Sequence, residues 1–259
     1  MMIQLQLKNQ VVKIDAGELV SYQMNGHQYI HQKGSPGWRS SDTEMFPIIG
    51  PTAEADFKVI TPRGEAVQDQ HGLLREMDYE LFLQSTTEVR FQKKYMAGSR
   101  VRNMKYPEKS SQAMLFWPYD FQFEKHFVLT NKGLEITFSI SGDKDMPFML
   151  GYHPAFKLHS KNPIIHTGAQ TITLAEVLAV GSRALQVPDC TEIVLKDEKE
   201  LRIKTQGFKH FMLWTEVPNM VCVEPITFYP YAVDQKNLQQ GFRNLKDTQE
   251  EFKVTIVPV

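Results

Sequence analysis

The chain has 259 residues, 42% of them apolar and 23% charged, which excludes a disordered, collagen-like or disulfide-stapled protein and supplies enough apolar side chains for a sizeable core. Lysine and arginine number 29 against 30 aspartates and glutamates, a net charge of -1, so there is no overall basic field to attract nucleic acid or an anionic membrane. Two cysteines, Cys190 and Cys222, fall in no CxxC or Cys/His spacing and read as reduced thiols of a cytoplasmic protein.

Near the start, Ile3, Leu5 and Leu7 alternate with Gln4, Gln6 and Lys8, the period of two that marks a half-buried strand. No basic stretch leads there into an unbroken apolar run, so a secretory signal is not expected, and no segment approaches the ~18 apolar residues of a membrane span. Residues 18–23 and 27–31 flank Asn25-Gly26, the pair that best tolerates positive φ at both centres of a hairpin turn. Proline and glycine clusters at 33–37 and 47–51 read as loops. Residues 72–82 fit a helix or a strand equally well. Phe121, Phe123, His126 and Val128 lead through Asn131-Lys132-Gly133 into Leu134, Ile136, Phe138 and Ile140, a second hairpin. Further short strands are expected at 171–174, 193–195, 201–203, 211–214, 220–223 and 252–257. No long helical periodicity follows a capping residue. Many short strands without alternating helices predict an all-β chain, a large antiparallel β-sandwich formed as one domain over residues 1–259.

Three residues stand out as reactive groups in apolar or turn surroundings, where desolvation moves pKa values towards the range useful for catalysis. Glu224 follows the apolar run 220–223 and precedes Pro225, which places a carboxylate where a strand is expected to stop pairing. His153 lies in Gly151-Tyr152-His153-Pro154-Ala155-Phe156, with its backbone restricted by Pro154 and its imidazole shielded by aromatic neighbours. His71 lies in Asp69-Gln70-His71-Gly72-Leu73-Leu74-Arg75, beside a glycine that permits close approach. Each has a plainer alternative: a strand cap pointing into water, a hydrogen-bonded turn histidine, and a solvated loop. His27 and His31 share a strand face, but no third ligand stands at a metal spacing, so a sheet surface is the better reading. The charges in residues 100–105 read as a solvated face or loop. HExxH, GxSxG, GxGxxG and GxxxxGK[ST] are all absent from the sequence.

Four segments in order give these residues a common context: Met45-Phe46-Pro47-Ile48-Ile49-Gly50, Gln70-His71-Gly72-Leu73-Leu74-Arg75, Gly151-Tyr152-His153-Pro154-Ala155-Phe156 and Val223-Glu224-Pro225. Together they resemble the Phe-Pro, His-Gly-x-x-Arg, Gly-Phe-His-Pro and Ile-Glu-Pro elements of the aldose 1-epimerase family, the galactose mutarotases, and more closely its divergent bacterial branch. The resemblance implies the galactose mutarotase-like supersandwich, with Glu224 as general base, His153 as general acid and His71 as a second histidine on the sugar. It implies a small sugar as substrate, no cofactor and no metal, in a monomer or homodimer. Many relatives carry an arginine after the glycine at position 50, where this chain has Pro51; Arg75 and Arg39 are the sugar-binding arginines expected here, Arg39 as the substitute. Interconversion of α and β anomers asks for two opposed proton carriers, one at the C1 hydroxyl and one at the ring oxygen. Two other readings remain: a non-catalytic carbohydrate-binding sandwich using Trp38, Trp117 and Trp214 as platforms, and a hexose-phosphate epimerase using Arg39, Arg75, Arg100 and Arg102.

Overall fold

The structure is a computed structural model that describes residues 2–259. Alternation is clearest in the strands Phe121–Thr130 and Gly133–Gly142, whose side chains point in turn into the core and towards the surface over ten residues each. A two-residue turn at Asn131-Lys132 joins them, with Thr130 opposite Gly133 and Phe121 opposite Gly142. They lie within a nine-stranded antiparallel sheet, ordered Thr171–Thr173, Ile164–Thr167, Glu192–Lys196, Glu200–Gln206, Gln249–Pro258, Gly133–Gly142, Phe121–Thr130, Glu88–Tyr95, Glu80–Gln84. A second, six-stranded sheet is built around Met220–Ile226, which is buried at every residue. Leu185–Val187 and His210–Trp214 extend it on one side; Gly151–Tyr152, Glu44–Met45 and Ala155–Lys157 extend it on the other. The first four strands, from Met2–Leu7 to His27–Gln28, form a meander of their own, and Asn25 and Gly26 both take positive φ at its last turn.

Aromatic side chains fill the space between the two large sheets. Phe138 meets Tyr152 at 5.0 Å between ring centroids, Phe123 meets Phe46 at 5.5 Å, and Phe252 meets Phe148 at 6.1 Å. Each fully buried ring of this kind contributes about 1.5–3 kcal/mol of burial energy. The chain is therefore the antiparallel β-sandwich expected, with 48% strand and 10% helix. Among the described residues no helix is long and apolar enough to cross a membrane.

The structure corrects four local expectations. In Phe121–Thr130 the inward face is Phe121, Phe123, Lys125, Phe127 and Leu129, so His126 and Val128 lie on the opposite face. A buried lysine keeps the period of two, and ion pairs described below hold it there. Residues 171–174 are not all strand: Thr173 caps a seven-residue helix, Leu174–Val180, through a capping box with Glu176. The strand carrying Glu224 does not stop at Pro225; it pairs on through Ile226, which faces His210 and Gly151. Residues 72–82 divide between a single 3-10 turn, Leu73–Glu76, and the edge strand Glu80–Gln84.

Candidate active site

Strand register sets the centre of the site. Gly151 faces Ile226 and Ala155 faces Cys222, and the same register places His153 directly opposite Glu224. The backbone of His153 is clamped from its other side, donating to the Thr43 carbonyl at 2.8 Å and accepting from the Thr43 N–H at 3.3 Å. Across this pair His153 Nε2 and Glu224 Oε1 lie 3.4 Å apart, with Glu224 only 1% exposed and His153 7% exposed.

His71 arrives on a loop tied to the 45–50 segment. Its N–H donates to the Gly50 carbonyl, its carbonyl accepts from the Phe46 N–H, and the Leu74 N–H returns to the Phe46 carbonyl. This path forces His71 to φ +73° and Gly72 to φ +76°, ψ 173°, a region open almost only to glycine. A Cβ on Gly72 would lie 2.2 Å from the Phe46 carbonyl oxygen. Gly72→Ala is therefore expected to cost about 1–3 kcal/mol of stability and to displace His71. Urea denaturation reads the loss, and a wild-type midpoint would refute the strain.

These side chains open on one cleft of about 510 Å³. Trp38 and Trp214 flank the His153 ring at centroid distances of 4.2 Å and 5.9 Å, and the His71 ring stands edge-on to it at 5.7 Å. Arg75, Asp69, Gln70, Lys105, Met212 and Tyr231 also line the cleft. Lys105 Nζ donates to Asp69 Oδ1 at 3.0 Å, and Asn103 fixes the other carboxylate oxygen at 2.8 Å.

Burial sets the protonation of the pair. It pushes the Glu224 carboxyl well above the ordinary carboxylate range. Burial, helped by the nearby Arg75 charge, lowers His153 to about 3, and burial with Arg75 and His153 holds His71 well below the usual imidazole value. Above the His153 value, and until the raised Glu224 carboxyl ionises, the pair thus holds a single proton, on Glu224.

Glu224, His153, His71 and Arg75, singled out from the sequence, come together in this cleft; Arg39 does not. It is exposed on the loop beyond Trp38, whose ring forms the wall instead, and the cations lining the cleft are Arg75, Lys105 and Lys109. Trp117 is fully buried in the core and is no platform, and Arg100 lies over the Phe116 ring. His27 and His31 diverge, His27 against the His159 ring and His31 onto the Trp38 carbonyl. Lys105 and Tyr231 were not picked out in the sequence: Lys105 sits in a run of alternating charges, and nothing around Tyr231 marks it.

Behind the cleft lies a buried charge cluster. Lys125, with no exposed surface, reaches Asp42 at 2.8 Å and Glu44 at 2.5 Å, and the Tyr152 hydroxyl donates to Asp42 at 2.6 Å. Asp42 and Glu44 bracket Thr43, the residue that clamps His153. Burial opposes the Lys125 charge, yet the two carboxylates outweigh it and hold the ammonium above its ordinary value. Burial drives the Asp42 carboxyl up to about 6.

This β-sandwich, with its aromatic-walled cleft, can be compared with known proteins. Residues 17–216 match the family model described as aldose 1-epimerase; the chain belongs to that family. It is similar over 100% of both chains to a galactose mutarotase-like protein from Lactobacillus casei, with 17% identity and a TM-score of 0.79. A galactose mutarotase related enzyme from Lactobacillus acidophilus matches at 18% identity and TM-score 0.73, covering 99% of this chain and 97% of that one. A galactose mutarotase-like protein from Clostridium acetobutylicum matches at 13% identity and TM-score 0.71, covering 100% of this chain and 95% of that one. At these identities the likeness carries the fold. No curated protein matches the chain.

Proposed function

We propose that this protein is an aldose 1-epimerase in activity, interconverting the α and β anomers of a free aldose. The observation that carries the reading is the buried pair of His153 and Glu224, 3.4 Å apart and opening on the cleft. In the proposed reaction the Glu224 carboxylate takes the C1 hydroxyl proton while the His153 imidazolium gives one to the ring oxygen. The bond from C1 to the ring oxygen breaks, rotation about C1–C2 presents the other face of the aldehyde, and closure returns both protons. Burial leaves the pair's single proton on Glu224, so the reactive form arises when that proton crosses the 3.4 Å to His153; ring opening returns a proton to Glu224, and closure restores the imidazolium. Acid–base catalysis of this kind is worth roughly 10²–10⁴-fold. Arg75, His71 and Lys105 are placed to bind hydroxyls, and Trp38 and Trp214 to pack on the apolar face of the ring.

Polarimetry of freshly dissolved α-D-glucose and α-D-galactose tests the activity, with wild-type protein accelerating the decay. Binding measured by calorimetry without acceleration on any aldose would leave a carbohydrate-binding sandwich. The three cleft cations favour one second reading, a phosphorylated hexose, and equal rates on glucose and glucose 6-phosphate would remove it.

The pH profile follows from the shared proton. A second proton binds only near the His153 value of about 3, and the last leaves only above the ordinary carboxylate range. The rate is therefore expected to stay level from about one pH unit above the His153 value and to fall as the raised Glu224 carboxyl loses its proton. An acid limb at the ordinary imidazole value of ~6.5 would show that the two groups titrate independently.

A further inference from the structure

The strand that carries Glu224 also holds a buried thiol that the proton transfers do not use. Cys222 stands two residues before Glu224, on the same strand face, and is fully buried. One ligand atom from each of His153, Cys222 and Glu224 lies within 4.8 Å of the other two, and all three residues are buried. We propose that His153, Cys222 and Glu224 form a binding site for a zinc-like divalent metal ion, and that the ion, seated there, blocks proton transfer at the pair. The block rests on the mutarotase reading; the metal site does not.

Geometry favours the ion. Two ligands each ~2.0–2.1 Å from a tetrahedral zinc are about 3.4 Å apart, which is the separation of His153 Nε2 and Glu224 Oε1. That separation is long for a hydrogen bond, and Glu224 Oε1 has no hydrogen-bond partner, so a buried oxygen is left for a further ligand to satisfy. The Cys222 thiol, within 4.8 Å of a ligand atom of each of the other two, supplies the third ligand. His153 and Glu224 line the cleft while Cys222 lies behind them, so an ion held by the three would keep its open position on the cleft side. Charge balance also favours it: a dication with one thiolate, one carboxylate and one neutral imidazole is neutral overall, which suits a buried site. On entry the ion displaces two protons to solvent, one from the Cys222 thiol and the one shared by the pair. The thiol and imidazole select zinc or cadmium over magnesium and calcium, which ask for six or more oxygens. With the metal on His153 Nε2 and Glu224 Oε1, the two atoms between which the pair's proton passes are both occupied, and that transfer is blocked.

Titration with cadmium chloride reads the site without any assay of activity, through the thiolate-to-metal charge-transfer absorption in the ultraviolet. A Cys190→Ser protein, in which Cys222 is the single thiol, is expected to develop the band to one equivalent; adding Cys222→Ser or Cys222→Ala abolishes it. Zinc chloride is expected to inhibit anomer exchange, and Cys222→Ser to raise the concentration for half inhibition at least about tenfold. No band in the Cys190→Ser protein overturns the site. Zinc inhibition unchanged by Cys222→Ser, or lost in His27→Ala at the half-exposed cluster of His27, His159 and Glu198, overturns the block. If no aldose is interconverted, the mutarotase reading falls and the cadmium band alone decides the metal site.

Discussion

Glu224→Gln is expected to slow anomer interconversion by about 10²–10⁴-fold and to make the protein more resistant to urea above the ordinary carboxylate pKa. The first effect follows, on the proposed mechanism, from losing the base while keeping the shape of the side chain. The second follows from linkage. Burial raises the folded-state pKa of Glu224, so below the ordinary carboxylate value folded and unfolded chains both hold the proton and the residue costs nothing. As pH rises, the unfolded chain ionises first, and stability is lost until the folded value is passed. Glutamine never ionises, so the variant matches wild type in acid and gains on it towards alkaline pH. Denaturation at about pH 4 and pH 8, with polarimetry alongside, separates the outcomes. A variant that loses activity and is also less stable at the higher pH would mean that Glu224 is held ionised against His153, and the shared-proton account would fail. Wild-type rates would remove Glu224 from the chemistry altogether. A catalytic group that weakens the fold it sits in is the expected signature of a buried acid–base site.

The largest loss of stability is expected from Lys125→Met. Removing the cation leaves Asp42 and Glu44 as buried carboxylates with Lys93 as a neighbouring cation and the Tyr152 hydroxyl still on Asp42, a change that typically costs about 3–5 kcal/mol. The penalty should deepen as pH rises and the stranded carboxyls ionise. Adding Asp42→Asn and Glu44→Gln to Lys125→Met should recover most of the loss, because a neutral cluster needs no counter-charge. Since Asp42 and Glu44 bracket the residue whose backbone clamps His153, the single variant should also lose turnover, and the triple variant regain part of it. If Lys125→Met is as stable as wild type, the cluster carries no structural role.

How far the sequence reads depends on whether a residue's role is local or set by pairing. The alternation of Leu134, Ile136, Phe138 and Ile140 is a local property, and it found a strand of the nine-stranded sheet. The segments containing His71 and His153 likewise carry their own glycine or proline, and Gly72 fixes the backbone path that brings His71 to the cleft; Pro225 marks no turn, since its strand pairs on through Ile226. Lys125 was misread because the inward face was sought among apolar residues, and its partners lie 83 residues away for Asp42. Lys105 and Asp69 are 36 residues apart and meet only through tertiary packing. Arg39 was chosen for its charge, but nothing in the sequence shows that the Trp38 ring takes the wall position. The helix at Leu174–Val180 did have a signal, the Thr173-x-x-Glu176 box, hidden by a strand-like run in front of it.

The strand Gln249–Pro258 lies between Glu200–Gln206 and Gly133–Gly142, with Ile256 opposite both Ile203 and Leu134. A ribosome makes those two neighbours well before it makes the strand that joins them. Until then the nine-stranded sheet exists as two halves, each with an open edge able to pair with any extended chain. The same strand brings Phe252, which packs on Phe148 and Phe208 behind the cleft. The nascent protein therefore cannot complete its fold progressively from one end; closure of the sheet and of the wall behind the cleft is a single late event, and the open edges before it are the stage at which chaperones have most to protect.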